Sequence, residues 1–251
     1  MQKLTDSQWA RISAFLQDHP RVYKATHPDT RRFLDAVHWL LRTGAQWRAL
    51  PPEFGNWSSV WDRFTAWCNK GIFTHMLEHL SAHGADFEWL SFDSTTVRAH
   101  TCATPKSAEQ AEQGFGRSRG GFTTKLHVKV DSHGMPLKLA LTAGQRNDKI
   151  GWPLLREPRD ERATCVLADK GYDSNAIRDD LAQIGVQAVI PPTKSRIGKI
   201  DYDVHIYGHR HVVECFIGKI KWFRRVFTRF DVRADAYLGF VTLASCLVWM
   251  R

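Results

Sequence analysis

The sequence predicts a mixed α/β domain preceded by a small all-helical domain, with the boundary between residues 86 and 87. Three observations carry this. Residues 1–86 place apolar side chains at helical spacing between capping and stop signals. From Phe87 the pattern changes to short runs of β-forming residues separated by turn residues. Beyond that point strands and helices alternate, the ordering of a mixed sheet covered by helices. With 251 residues, 43% of them hydrophobic, the chain can bury one substantial core and a smaller unit, which excludes wholesale disorder.

The elements follow in order. "TDSQWARISAFLQ" offers Thr5 as N-cap before Trp9, Ile12, Phe15 and Leu16. "PDTRRFLDAVHWLLRTG" repeats the signal, with Asp29 or Thr30 as cap and Gly44 as stop. After a Pro-Pro turn, "SSVWDRFTAWCNKGIFTHMLEHLSAHG" supplies one or two further helices. "FEWLSFDSTTV" reads as a strand carrying Asp93 at its C-terminal end, and "EQGFGRSRGG" as a loop. A hairpin turning at "DSHG" comes next, with Leu126, Val128 and Val130 on one arm and Leu137, Leu139 and Leu141 on the other. Then come a helical patch at "IGWPLL", the strand "TCVLAD" ending in Asp169, the helix "DSNAIRDDLAQIG" and the strand "VQAVIPP". "PPTKSRIGKID" is expected to be an exposed, flexible connection into a longer helix from about His205. The apolar "AYLGFVTLASCLVWM" is too short and mixed for a membrane span and reads as a buried closing helix.

Charge is concentrated near the end. Of a net charge of +9, the last 58 residues carry +6, and "FIGKIKWFRRVFTRF" holds five cations and no acid. A polyanionic partner is the expectation, such as nucleic acid or an anionic membrane surface. The five cysteines, at 68, 102, 165, 215 and 246, are odd in number and form no C-x-x-C pair, which points to a reducing compartment. The amphipathic, acid-containing "MQKLTDSQWARISAFL" is unlike a signal peptide. A soluble, cytoplasmic protein is expected.

One carboxylate, Glu214, stands inside the basic run. At about 100° per residue, a continuous helix brings Tyr207, Arg210, Glu214 and Lys221 within about 60° of one another. Val213, Phe216, Ile217 and Ile220 take the other side. Taken alone, the stripe is equally an exposed face with an Arg210–Glu214 pair worth about 0.2–0.5 kcal/mol. Asp93 and Asp169, at strand ends, are each readable as caps or turn formers. Strand ends are also where ligand sites of open α/β sheets gather. The three acids together make a candidate site for two divalent cations of the kind that serve phosphoryl displacement.

"SFDSTTVRAH", "GRSRGGFTTKLHVKVD", "LADKGYDS" and "YGHRHVVECFIGKIKWFRRV" resemble the catalytic domain of bacterial DDE transposases of insertion-sequence family five. The last of these segments fits that family's signature Tyr-x2-Arg-x3-Glu-x6-Lys without a gap. "LTDSQWARI" and "LRTGAQWRALPPEFGNWSSVWDRFTAWCNKGIF" resemble the family's helical N-terminal domain. The resemblance implies a ribonuclease H-like mixed sheet, with Asp93, Asp169 and Glu214 as ligands of two Mg²⁺ ions that Mn²⁺ can replace. It implies double-stranded DNA as partner, both the inverted repeats at element ends and the target, with oligomers of the chain assembling on it. Cleavage and strand transfer follow, without a covalent enzyme intermediate, in a protein associated with the bacterial nucleoid. Lys221 is expected at DNA phosphate, and Tyr207 and Arg210 are expected to orient the active-site helix or the DNA.

Other features weigh less. Arg117 and Arg119 in "GFGRSRGG" could cradle phosphate or simply be solvated. Trp47, Trp57, Trp61 and Trp67 read as core of the helical domain rather than base-stacking groups. His100 with Cys102, and His209 with His211, lack partners at zinc-ligand spacing. Asp131 reads as a turn residue and Asp173 as the cap of the helix after "DKGY". A nuclease without strand transfer, and a DNA-binding protein that has lost catalysis, stay open as rivals.

Overall fold

The structure is a computed structural model and describes residues 3–22, 27–104, 106, 109–198 and 200–251. Four helices come first: α1 (Asp6–Gln17), α2 (Pro28–Thr43), α3 (Trp57–Asn69) and α4 (Ile72–Gly84). α1 begins at a capping box, in which the Thr5 hydroxyl accepts from the Gln8 N–H and the Gln8 side chain accepts from the Thr5 N–H. α2 ends at Gly44 as expected but starts differently. The His27 ring accepts from the Asp29 N–H, and Pro28 takes the first helical position, where a missing N–H costs nothing. Neither Asp29 nor Thr30 is the cap. Trp67 is buried, and Trp47, Trp57 and Trp61 pack against the same core.

The sheet is built on β1 (Trp89–Ala99) and, antiparallel to it, β3 (Gly121–Val130). The outer edge of β3 is shared by β2 (Gly116–Ser118) and β4 (Pro136–Ala143). On the far side, β5 (Cys165–Ala168) runs parallel to β1, and β6 (Gln187–Val189) parallel to β5. The order β4-β3-β1-β5-β6, an antiparallel meander followed by two parallel strands, is the ribonuclease H-like sheet. Part of the segment expected as a loop is thus a strand: Gly116–Ser118 folds back on Gly121–Thr123 through a tight turn.

The remaining helices are α5 (Trp152–Leu155), α6 (Asn175–Gln183), α7 (Val204–Gly208), α8 (His211–Lys221), α9 (Arg224–Phe227) and α10 (Ala234–Trp249). A two-residue strand, β7 (Thr228–Arg229), precedes α10. The helix expected from His205 is therefore interrupted at residues 209–210. Its two parts pack on different surfaces. Ile206 and Tyr207 of α7 lie on a small cluster of Cys165, Leu167 and Val189, whereas Val213, Phe216, Ile217 and Ile220 of α8 join the main core.

α10 is buried on nearly every side, as its predominantly apolar sequence predicts. It packs on α3, α4 and β4, and the rings of Phe240 and Phe64 meet with centroids 4.4 Å apart. At Gly239 the approach of α3 leaves no room for a side chain, since a Cβ there would lie 2.4 Å from Cys68 Sγ. Among the described residues, no helix is long and apolar enough to cross a membrane.

Candidate active site

The last parallel pair between β1 and β5 is Phe92 with Ala168, so the next residue on each strand is an acid, Asp93 and Asp169. Asp93 is not at the end of its strand: β1 continues to Ala99 because β3 goes on pairing with it as far as Arg98. What ends at Asp93 is the pairing on the other edge. β5 stops opposite Phe92 and β7 begins opposite Arg98, so among the described residues Asp93–Val97 has no strand on that side. The sheet opens a notch there. Asp169 is fixed by accepting from the Gly171 N–H at 2.8 Å, and Asp93 by accepting from the Ser94 N–H at 2.7 Å.

α8 lays its polar side over this notch. Arg210 Nη1 donates to Asp93 Oδ2 at 3.1 Å, and its Nη2 donates to Glu214 Oε1. Lys221 Nζ donates to Thr95 Oγ1 at 2.8 Å, and Thr95 lies on the same face of β1 as Asp93. Tyr207 stands on the separate helix α7, yet its ring centroid is 5.9 Å from the Arg210 guanidinium. Burial pushes the Asp93 carboxyl above its ordinary pKa; Ser94 and Arg210 pull it back, and Asp169 and Glu214 add to the rise. Burial also works against the Arg210 charge, but Asp93 and the groups around it outweigh burial and raise its pKa. The Glu214 side chain is 54% exposed, so this acid faces outward from the notch.

Among the described residues, no three His, Cys, Asp or Glu side chains are gathered as they stand into a group that could hold a metal ion. The cation joining Asp93 to Glu214 is Arg210. The donors nevertheless suit a hard divalent ion, being carboxylate oxygens throughout. Gly171 leaves space among them: a Cβ there would come within 2.9 Å of Asp169 Oδ1 and 2.8 Å of Asp148 Oδ2.

Asp148 went unnoticed in the sequence. It opens a 3-10 turn after β4, Asp148–Gly151, and its Oδ1 accepts from Ser94 Oγ at 2.5 Å and from Lys125 Nζ at 2.7 Å. Burial raises the Asp148 pKa, but these hydrogen bonds outweigh it and hold the carboxyl below its usual range. "QRND" carries no signal of this, because the partners are 23 and 54 residues away.

A profile described as "Transposase DDE domain" matches residues 86–249. The chain belongs to this family, the DDE transposases. A second profile, "Putative transposase of IS4/5 family (DUF4096)", matches residues 4–77 of the transposase, in agreement with the family read from the motifs. The putative transposase for insertion sequence element IS6501 of Brucella ovis is 35% identical over 133 residues, which span 52% of this chain and 100% of that one. The putative transposase for insertion sequence element IS402 of Burkholderia cepacia is 32% identical over 142 residues, 53% of this chain and 64% of that one. Among solved structures, a pre-cleavage Mos1 transpososome aligns over 92% of this chain and 80% of that one. Its 14% identity and TM-score of 0.27 carry no argument about this transposase.

The transposase does not bring every candidate residue into the notch. Arg117 pairs with Phe122 while Asp93 pairs with Val128, which separates Arg117 from Asp93 by about 20 Å along β3. Arg119 lies in the turn beside it. Asp131 is a buried turn residue, accepting from the N–H groups of Asp86, His133 and Met135. Asp173 is not a helix cap, since Ser174 takes that place. It ties down the following connection instead, accepting from Arg178, from Thr193 and from Arg196. "PPTKSRIGKID" is therefore anchored at its start, while Lys199 lies outside the described residues. His209 packs on Trp89 and His211 reaches the Gly208 carbonyl.

Proposed function

We propose that this DNA transposase recognises the terminal inverted repeats of an insertion sequence through residues 1–86 and cuts and joins DNA strands with residues 87–251. The observation that carries the reading is the notch. Asp93 and Asp169 are next neighbours where the β1–β5 pairing stops, and Arg210 links Asp93 to Glu214 across it. Asp93, Asp169 and Glu214 are the residues that would hold two Mg²⁺ ions, or Mn²⁺ in their place. When bound, such ions stabilise the attacking and leaving oxygens of a phosphodiester displacement. The chain's own part is to set Asp93 and Asp169 side by side, with Glu214 tied to Asp93 through Arg210, and to place cations beside them. Arg210 keeps the carboxylates apart from one another's charge until a substrate phosphate offers its guanidinium another anion. Lys221 at the end of α8 reaches Thr95, two residues beyond Asp93 on β1, and is placed to meet the same DNA strand. Trp222 and Phe227, 82% and 61% exposed, flank Lys221 and Arg224 and widen this basic face. Oligomers of the chain form on paired DNA ends.

The test is to incubate the purified protein with Mg²⁺, DNA carrying the inverted repeats that flank its gene, and a target plasmid, and to sequence the products. Joined ends are expected. Cleavage without joining reduces the protein to a nuclease, and binding without cleavage to a DNA-binding protein. Lys221→Ala weakens DNA binding and lowers the slope of log affinity against log salt by about 0.9, one phosphate contact's worth of released counterions. An unchanged slope removes Lys221 from the phosphate.

A further inference from the structure

Asp148 and Tyr172 have no part in the reading above, and both face the acids on which it rests. The Tyr172 side chain is fully buried, with no exposed surface, and among the described residues its hydroxyl finds no hydrogen-bond partner. Burial raises its pKa well above the ordinary value, and the charges of Asp93, Asp148 and Asp169 add to the rise. A buried hydroxyl that feels the charge of three carboxylates and is bonded to none points to a polar occupant beside it.

The two oxygens of Asp148 are used differently. Oδ1 takes both donors, Ser94 Oγ and Lys125 Nζ. Oδ2 is turned to Gly171, where it stands across from Asp169 Oδ1, each within 3 Å of the point a Cβ would occupy. Only a glycine permits that approach. Because successive residues of a strand face opposite sides, Ser94 reaches Asp148 on the side of the sheet away from α8. Asp148 therefore closes the notch from below while Glu214 stands at its outer rim.

We propose that Asp148 is a fourth acid of the divalent-cation site: it presents Oδ2 beside Asp169, across the space that Gly171 leaves open, while Lys125 and Ser94 hold its other oxygen. The inference rests on the reading of Asp93 and Asp169 as cation ligands. Four carboxylates against the single charge of Lys125 and that of Arg210 leave the site anionic, and its donors are all oxygen, which favours Mg²⁺ or Mn²⁺ over softer metals. Lys125 sets how much of the Asp148 charge reaches the ion.

The test is Mn²⁺ binding to the full-length protein without DNA, followed by the electron paramagnetic resonance signal of free Mn²⁺. Asp93→Asn and Asp169→Asn define the site, and each is expected to weaken binding at least about tenfold. Asp148→Asn is expected to do the same, Tyr172→Phe to weaken binding about threefold, and Lys125→Met to keep or tighten it. Wild-type affinity in Asp148→Asn, with Asp93→Asn and Asp169→Asn impaired, overturns the proposal and leaves the parent reading intact. Wild-type affinity in Asp93→Asn and Asp169→Asn overturns both. A loss in Lys125→Met equal to that in Asp148→Asn makes Asp148 a structural anchor only, which also overturns it. Should Asp148→Asn fail to fold, Tyr172→Phe decides alone, because it deletes an unbonded hydroxyl; unchanged affinity there counts against the proposal.

Discussion

Alanine at Asp93, Asp169 or Glu214 is expected to lower Mg²⁺-dependent cleavage of end DNA by about 10³-fold or more, equivalent to about 4 kcal/mol of barrier, and to leave binding to that DNA largely intact. The three variants are also expected to differ in stability, which separates catalytic from structural loss. Asp169→Ala deletes the acceptor for the Gly171 N–H and costs about 0.5–2 kcal/mol, as loss of a capping side chain does. Glu214→Ala removes an exposed carboxylate whose ion pair with Arg210 is worth about 0.5 kcal/mol or less. Asp93→Ala removes an acid that burial already disfavours in its charged form, so its own loss is partly offset. Urea unfolding measures the stabilities, and cleavage of labelled end DNA measures the activities. A triad of catalytic acids gives three equal losses of cleavage on three unequal stabilities. If any one of the variants keeps near-normal cleavage, that residue is not in the triad.

Much of this site was legible because its signals are local. The pairing of Arg210 with Glu214 follows from their spacing alone. Asp93 and Asp169 each follow an apolar strand, and the β1–β5 register makes them neighbours. What escaped the sequence depends on distant partners. Strand β1 runs past Asp93 because β3 supports it as far as Arg98; nothing near "FDSTTV" announces that. The break between α7 and α8 separates side chains that pack in two different clusters. Asp173 has a cap's sequence position, but Arg178 and Arg196 claim its carboxylate. Asp148 lies in a polar turn like many others until Lys125 and Ser94 are folded against it. Arg117 and Arg119, readable from the sequence as a phosphate cradle or as solvated residues, lie on a strand and turn away from the acids.

Replacing Lys129 with methionine is expected to destabilise the protein by about 3 kcal/mol. Lys129 sits on β3 with no exposed surface; its Nζ donates to Glu157 Oε2 at 2.5 Å and to Asp160 Oδ1 at 2.7 Å. Burial draws the Lys129 pKa down, and the Asp160 and Glu157 carboxylates pull against it. Methionine fills nearly the same volume, so the loss measures charge rather than packing. It leaves Asp160, 1% exposed, without its nearest cation, and Arg156 at 3.4 Å replaces only part of it. That partial substitute is why the figure belongs near the lower end of the range for a broken buried pair. A second change, Asp160→Asn in the Lys129→Met background, removes the stranded charge and is expected to recover part of the stability. Asparagine still has a carbonyl oxygen for the Glu157 N–H, which Asp160 Oδ2 now serves at 2.9 Å. Urea midpoints at constant m-value report both steps. If the double variant is no more stable than Lys129→Met, the cost lies in the lost hydrogen bonds and not in an unpaired carboxylate. The notch is the opposite case, with acids set beside too few cations. At Lys129 the charges are balanced and closed from water; at Asp93, Asp148 and Asp169 they are left in excess around the space that Gly171 keeps open.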